Sequence, residues 1–135
     1  MYLLDTNVIS ELRRRKPHGA VSAWFGRVRA EDIQIPAVVI AELQDSAEVT
    51  RLQDPNKARE IELWIDQIML TFVVIPMDGA MFREWARLMA GTSDDLAADA
   101  MIAATARIHG MVIATRNVKD FAHFGVKVFN PFTGK

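Results

Sequence analysis

The sequence predicts an α/β sandwich, a central parallel sheet whose strands are joined by crossover helices. Two observations carry that prediction. Short apolar runs, each too short for a helix, recur at residues 2–4, 33–35, 72–75, 111–114 and 126–129. Longer segments with apolar residues at helical spacing fill the intervals between them. With 135 residues and half of them hydrophobic, the chain is expected to be one domain, residues 1–135, with a real core.

Tyr2 to Leu4 reads as a first strand, and Thr6 or Asn7 is expected to cap a helix from Val8 to about Arg13. The basic run Arg13-Arg14-Arg15-Lys16 ends at Pro17. Between His18 and Arg29, the positions of Val21, Trp24, Phe25 and Val28 predict an amphipathic helix. A second strand covers Ile33 to Ile35, and Pro36-Ala37 opens a long helix to about Arg51. Asp54-Pro55-Asn56 reads as a turn before a helix from Lys57 to Thr71, with Ile61, Trp64, Ile65, Ile68 and Met69 on one face. A third strand, residues 72–75, precedes a helix from about Ala80 to Met89.

The most informative stretch runs from Ser93 to Phe121. Thr92 or Ser93 is the expected N-cap, and Asp94 and Asp95 favour the positive end of the helix dipole. The helix that follows is apolar on almost every face, so it is expected to be buried. Gly110 ends it, and a short interior strand follows. A last edge strand, residues 126–129, precedes Pro131.

Composition excludes several classes. The net charge of −1 gives no global attraction to nucleic acid or anionic membrane, so any such binding needs a local patch. No cysteine is present, which removes disulfides and thiolate metal sites. No apolar run has membrane-spanning length and no signal peptide precedes Asp5, so a cytoplasmic protein is expected. Gly91, Gly110 and Gly125 stand alone, without a glycine-rich phosphate loop, and no nucleotide cofactor is expected.

Three acids interrupt apolar surroundings. Asp5 follows the first strand, Glu42 lies within Val38 to Leu43, and Asp99 sits inside the apolar helix. Buried and unpaired, each would cost several kcal/mol. Brought together at the carboxyl ends of the strands, where sites lie in such sheets, they would be compensated by a divalent cation. Carboxylates without thiolates suit Mg²⁺ or Mn²⁺, which can orient water, lower its pKa and stabilise charge on a phosphodiester. The competing reading pairs the acids with Arg83, Arg107 or Arg116. An aspartyl-phosphate nucleophile at Asp5 is weaker, because the second acid expected two residues on is Asn7. His18, His109 and His123 show no ligand spacing. Arg13, Arg14, Arg15 and Lys16 are either a solvated face or phosphate contacts flanking the site.

Four blocks in order, LLDTNVISEL at residues 3–12, AEL at 41–43, DAMIAATARIHGMVIATRNVKDF at 99–121 and VFNPF at 128–132, resemble the PIN-domain ribonucleases. Within that family the blocks resemble the VapC and FitB type, the toxin halves of type II toxin–antitoxin pairs. The resemblance implies a three-layer α/β/α fold and a Mg²⁺- or Mn²⁺-dependent endoribonuclease that leaves a 5′-phosphate and a 3′-hydroxyl. It implies that Asp5, Glu42 and Asp99 form the acidic metal-binding pocket; on that reading Thr6, Thr115 and Asn117 are expected to orient acids and water. A fourth polar position falls at Asn117 or Asp120; many relatives carry an acid where this chain has Asn117. Asn117 is expected to lie nearer the pocket. A homodimer and a small antitoxin whose tail enters the groove are implied as well. The rival readings are a catalytically inactive PIN-like module binding RNA or protein, and a metal-dependent phosphatase.

Overall fold

A computed structural model describes residues 1–135. Five parallel strands, β1 (Tyr2–Leu4), β2 (Ile33–Pro36), β3 (Val73–Ile75), β4 (Val112–Ala114) and β5 (Val128–Phe129), form one sheet in the order β3-β2-β1-β4-β5. Leu3 stands beside Gln34 on one side and Ile113 on the other, so β1 is the central strand. Leu3, Leu4, Ile33, Ile35 and Ile113 are almost fully buried, as expected of parallel strands covered on both faces.

The helices are α1 (Thr6–Arg13), α2 (Gly19–Arg27), α3 (Ala37–Arg51), α4 (Pro55–Thr71), α5 (Gly79–Met89), α6 (Ala97–His109) and α7 (Val118–Phe121). The chain leaves β1 for β2 and β3 on one side of the sheet, then crosses to β4 and β5 on the other. Because parallel crossovers are right-handed, the helices of the two halves cover opposite faces. The strand order therefore reverses between β1 and β4, and a crevice opens outside their carboxyl ends. No helix is long and apolar enough to cross a membrane.

Several ends differ from the sequence expectation. Asp5, rather than Thr6 or Asn7, caps α1 by accepting from the Thr6 amide. Asp54 is the N-cap of α4 and Pro55 its first residue, so the expected turn is a helix start. Proline suits that position because its missing N–H would have no partner in the first turn. Asp78 likewise caps α5. Helix α2 is shorter than expected, with His18 as its cap and Val28 beyond its end. Ser93 caps a 3₁₀ turn, Asp94–Leu96, and the α-helix proper begins at Ala97. At its other end Gly110 adopts φ 65° and ψ 40°, a left-handed conformation that a residue with a Cβ rarely takes. Helix α6 is buried through Ala100, Ile102, Ala103, Ala104, Thr105 and Ala106, but its last turn surfaces and leaves Ile108 exposed.

Candidate active site

The acidic site is built where β1 and β4 end side by side. The Asp5 amide donates to the Ala114 carbonyl at 3.0 Å, which ties the two strand ends together. The Asp5 carboxylate is buried and held on both oxygens. Its Oδ1 accepts from the Thr6 amide at 2.7 Å, and its Oδ2 accepts from Thr115 Oγ1 at 2.8 Å and Asn7 Nδ2 at 3.1 Å. Thr115, fully buried at the end of β4, has a second role: its Oγ1 accepts from the Asn117 amide at 2.9 Å. Asn7 completes the bridge by accepting from the Arg116 amide at 3.1 Å. This short polar network spans the switch point and fixes one carboxylate in it.

Helix α3 brings Glu42, whose Oε1 accepts from Thr6 Oγ1 at 2.8 Å. Asp99 arrives on the first turn of α6, where its negative charge suits the helix dipole. The expectation of three buried acids is corrected here: Asp5 alone is buried, Asp99 is half-buried and Glu42 is exposed. On α3 the buried positions are Val39, Leu43 and Ala47, so the face carrying Glu42 lies beside the core stripe. The apolar neighbours of Glu42 in sequence belong to other faces of the same helix.

The electrostatics of these acids nonetheless go one way. Desolvation pushes the Asp5 carboxyl above its ordinary value despite three stabilising hydrogen bonds, and the charge of Asp120 adds to the rise. Desolvation also raises Glu42 against its bond from Thr6, with a contribution from Asp5. Although Glu42 is exposed in surface terms, its carboxylate loses enough water against the cleft for that effect to lead. Asp99 is raised to about 6, first by desolvation and then by the charges of Asp5, Asp120 and Glu42. Nothing lowers it.

No ion pair in the molecule involves Asp5, Glu42, Asp99 or Asp120. The arginines that could have neutralised them are used elsewhere. Arg107 pairs with Glu84 at 3.2 Å and donates to the Phe124 carbonyl, and Arg116 lies over the Phe132 ring. Arg83 makes no ion pair.

Asp120, on α7, contributes the fourth negative charge, felt by both Asp5 and Asp99. Asn117 is exposed and its side chain makes no capping bond; its contribution to the network is its backbone amide. Asp120 acts on the acids through its charge, while Asn117 supports Thr115, the hydroxyl partner of Asp5, through its backbone amide. No three carboxylates or histidines converge as a ready-made cage. The donor set still fits a hard cation, because Mg²⁺ keeps several waters and commonly takes only one or two carboxylates from the protein. An all-oxygen set with elevated carboxyl pKa values and no cation of its own is what such an ion would relieve.

The basic run divides. Arg13 lies at a cavity shared with Glu42, whereas Arg14, Arg15 and Lys16 line a separate open depression. One buried charge has no signal in the sequence. Glu11, beside the basic run, is buried and accepts from the His18 amide at 3.1 Å and from Arg14 at 3.4 Å, closing the turn between α1 and α2. Its place just before four cations makes it look like part of a solvated face.

Comparison with known proteins places this arrangement in context. Residues 2–127 match the PIN domain family model. The chain is 34% identical over 139 residues to Toxin FitB of Neisseria gonorrhoeae, covering 98% of this chain and 99% of that protein. It is 35% identical over 137 residues to the VapC ribonuclease Y4jK of Sinorhizobium fredii, covering 98% of each. The crystal structure of FitAcB from Neisseria gonorrhoeae superposes with a TM-score of 0.86 at 34% identity, over 98% of this chain and 99% of that one.

Proposed function

Since the chain belongs to the PIN-domain family, we propose that it is a divalent-metal-dependent endoribonuclease and the toxin of a type II toxin–antitoxin pair. The observation that carries the reading is the set of four carboxylates at the sheet's switch point with no cation to neutralise them. A site kept acidic and unpaired at a cost in stability is a functional arrangement rather than a packing one. A PIN-like scaffold that only bound RNA or protein would have no use for that cost.

In this proposal Asp5, Asp99 and Glu42 are the residues that would hold the metal ion. Mg²⁺ or Mn²⁺, when bound, supplies Lewis acidity and an activated water for phosphodiester hydrolysis. The protein's own contribution is positional. Thr6, Asn7 and Thr115 hold Asp5 in one orientation, and Thr6 holds Glu42. Asp99 and Asp120 remain free of hydrogen-bonded restraint, so they can adjust to the ion and its waters. Arg13, Arg14, Arg15 and Lys16 supply phosphate contacts that offset the repulsion between the acids and an incoming polyanion. The same proposal includes a homodimer and an antitoxin that covers the acidic groove, supported by the similarity to a protein named as a toxin.

The test is cleavage of oligoribonucleotides by the purified chain with Mg²⁺, Mn²⁺ or EDTA. Metal-dependent internal cleavage, lost in EDTA, is expected. Absence of both Mn²⁺ binding and cleavage would favour the inactive-module alternative, and a trapped aspartyl-phosphate would favour the phosphatase.

A further inference from the structure

Arg13 is set apart from the rest of the basic run. Arg14 is held by Glu11, while the Arg13 guanidinium lies 5.7 Å from the centre of the Trp64 ring and pairs with no carboxylate. Arg13 and Trp64 form one side of a cavity of about 230 Å³ whose other walls include Thr6, Ser10, Glu42 and Ser46. Thr6 and Glu42 also belong to the acidic site, so the cavity is its direct extension between α1, α3 and α4.

We propose that this cavity is a nucleobase subsite, in which the base of a nucleotide beside the scissile bond stacks on Trp64 while Arg13 contacts the adjoining phosphate. The inference rests on the ribonuclease reading and extends it to a second part of the substrate. An aromatic face accepts any base by stacking, and an arginine beside it adds charge and a second planar surface. The serine hydroxyls can donate to or accept from base edges, which gives the subsite a means of preference among bases. The lining is mixed: Leu43 and Ile61 lie beside the indole, while Thr6, Ser10, Ser46, Glu42 and Arg13 supply polar partners, which together suit a base with an apolar face and a polar edge. Electrostatics point the same way, since a polyanion approaching four carboxylates requires a nearby cation that is not already neutralised.

The experiment uses the full chain with Mn²⁺ and a short single-stranded oligoribonucleotide, in versions with single abasic positions flanking the cleaved bond. Cleavage gives KM and kcat; anisotropy of the labelled oligonucleotide gives binding whether or not cleavage occurs. At one flanking position, base removal is expected to weaken wild-type binding and raise KM about tenfold. The same removal costs Trp64→Leu nothing further, because the stacking partner is already gone. Trp64→Phe retains the base dependence, which separates stacking from loss of fold. Arg13→Ala raises KM at every base and lowers the salt dependence of binding. Equal abasic penalties in wild type and Trp64→Leu would overturn the subsite, and so would unchanged RNA binding in both Arg13→Ala and Trp64→Leu; the latter result would leave the cavity to a protein partner. Cleavage without base coupling removes the subsite and keeps the nuclease. Base coupling in binding without cleavage keeps the subsite and removes the nuclease. Absence of both binding and cleavage removes both.

Discussion

Two of the three acids on helix α3 are in opposite circumstances. Glu42 faces the acidic site, meets a single neutral donor, and has its pKa raised by desolvation and by Asp5. Less than two turns later Glu48 lies in a cluster with Gln44, Arg51 and, from α4, Glu62. There the guanidinium of Arg51 and the amide of Gln44 lower the pKa of both glutamates. The second cluster ties α3 to α4 and is complete as it stands. The first is incomplete until something positive arrives. Two groups of carboxylates on adjoining helices can thus be told apart by compensation rather than by residue type, and only the uncompensated group is expected to matter for chemistry.

The largest expected effect breaks that contrast at its centre. Asp5→Asn or Asp99→Asn should reduce RNA cleavage by more than the roughly 10–100-fold typical of an outer-shell partner. Circular dichroism and metal-free melting should show a fold that is intact, and in Asp99→Asn more stable, because a repelling charge is gone. Near wild-type cleavage in either variant, with metal-free controls, removes these residues from the site. Next in size, Asp120→Asn should lower the rate by about tenfold, within the outer-shell range and less than Asp99→Asn. Asn117→Asp adds charge beside the network and should tighten Mn²⁺ binding in a titration. Loss of metal binding in Asp120→Asn, with Asn117→Asp silent, would move Asp120 into direct coordination.

Alanine at Arg14, Arg15 and Lys16 should weaken RNA binding mainly at low salt. The salt slope should fall by about 0.7 for each phosphate of a single strand that is no longer neutralised. An unchanged slope returns these three to the solvated face.

Stability against pH sharpens the comparison further. Asp99 has a raised folded-state pKa, so between 3.8 and about 6 the folded chain holds a proton that the unfolded chain releases. Stability from this group therefore falls as pH rises through that window, and the metal-free chain should gain on the order of 1 kcal/mol on acidification through it, once solvent screening is allowed for. Asp5 and Glu42 act in the same direction. Glu48 and Glu62, whose pKa values are lowered, act in the opposite direction: their contribution is present above 4.5 and is lost below it. With Mn²⁺ the sign at the acidic site reverses, because ligands must be deprotonated to bind: melting temperature rises at neutral pH and the increment fades on acidification. Thermal melts across pH, with and without Mn²⁺, check both arms. The smallest effect is expected at the compensated cluster, where Arg51→Ala should leave the cleavage rate unchanged and alter melting little, since exposed ion pairs contribute little.

Much of this is legible in the residues. Strands announce themselves as short apolar runs, and Asp5 and Thr115 are recognisable as the polar residues that end two of them. That these two strands are neighbours, and that the strand order reverses between them, is a matter of long-range pairing that local periodicity does not record. The environment of Glu42 is hidden for a related reason. Apolar neighbours in sequence reveal burial in a strand, but on a helix they point around the axis, and Val38 and Leu43 say little about the face between them. Asp54 looks like a turn residue because a cap and a turn share the same composition, and the difference lies in which amide the carboxylate reaches. That the charge of Asp120 reaches Asp5 and Asp99 while the Asn117 amide reaches Thr115 is visible only once the fold is known.

The left-handed residue at the end of α6 gives the chain a ruler. Helix α6 runs into β4 through little more than Gly110, so the number of residues from Asp99 to Thr115 sets both the height of one carboxylate and the face on which the other's hydroxyl partner emerges. A one-residue insertion there would turn the Thr115 side chain to the opposite side of the sheet, since side chains alternate along a strand. The bend at Gly91 to Ser93, which no such register passes through, imposes no comparable limit. A length change before α6 should therefore be absorbed, whereas one between Gly110 and Thr115 should separate Asp5 from its hydroxyl partner.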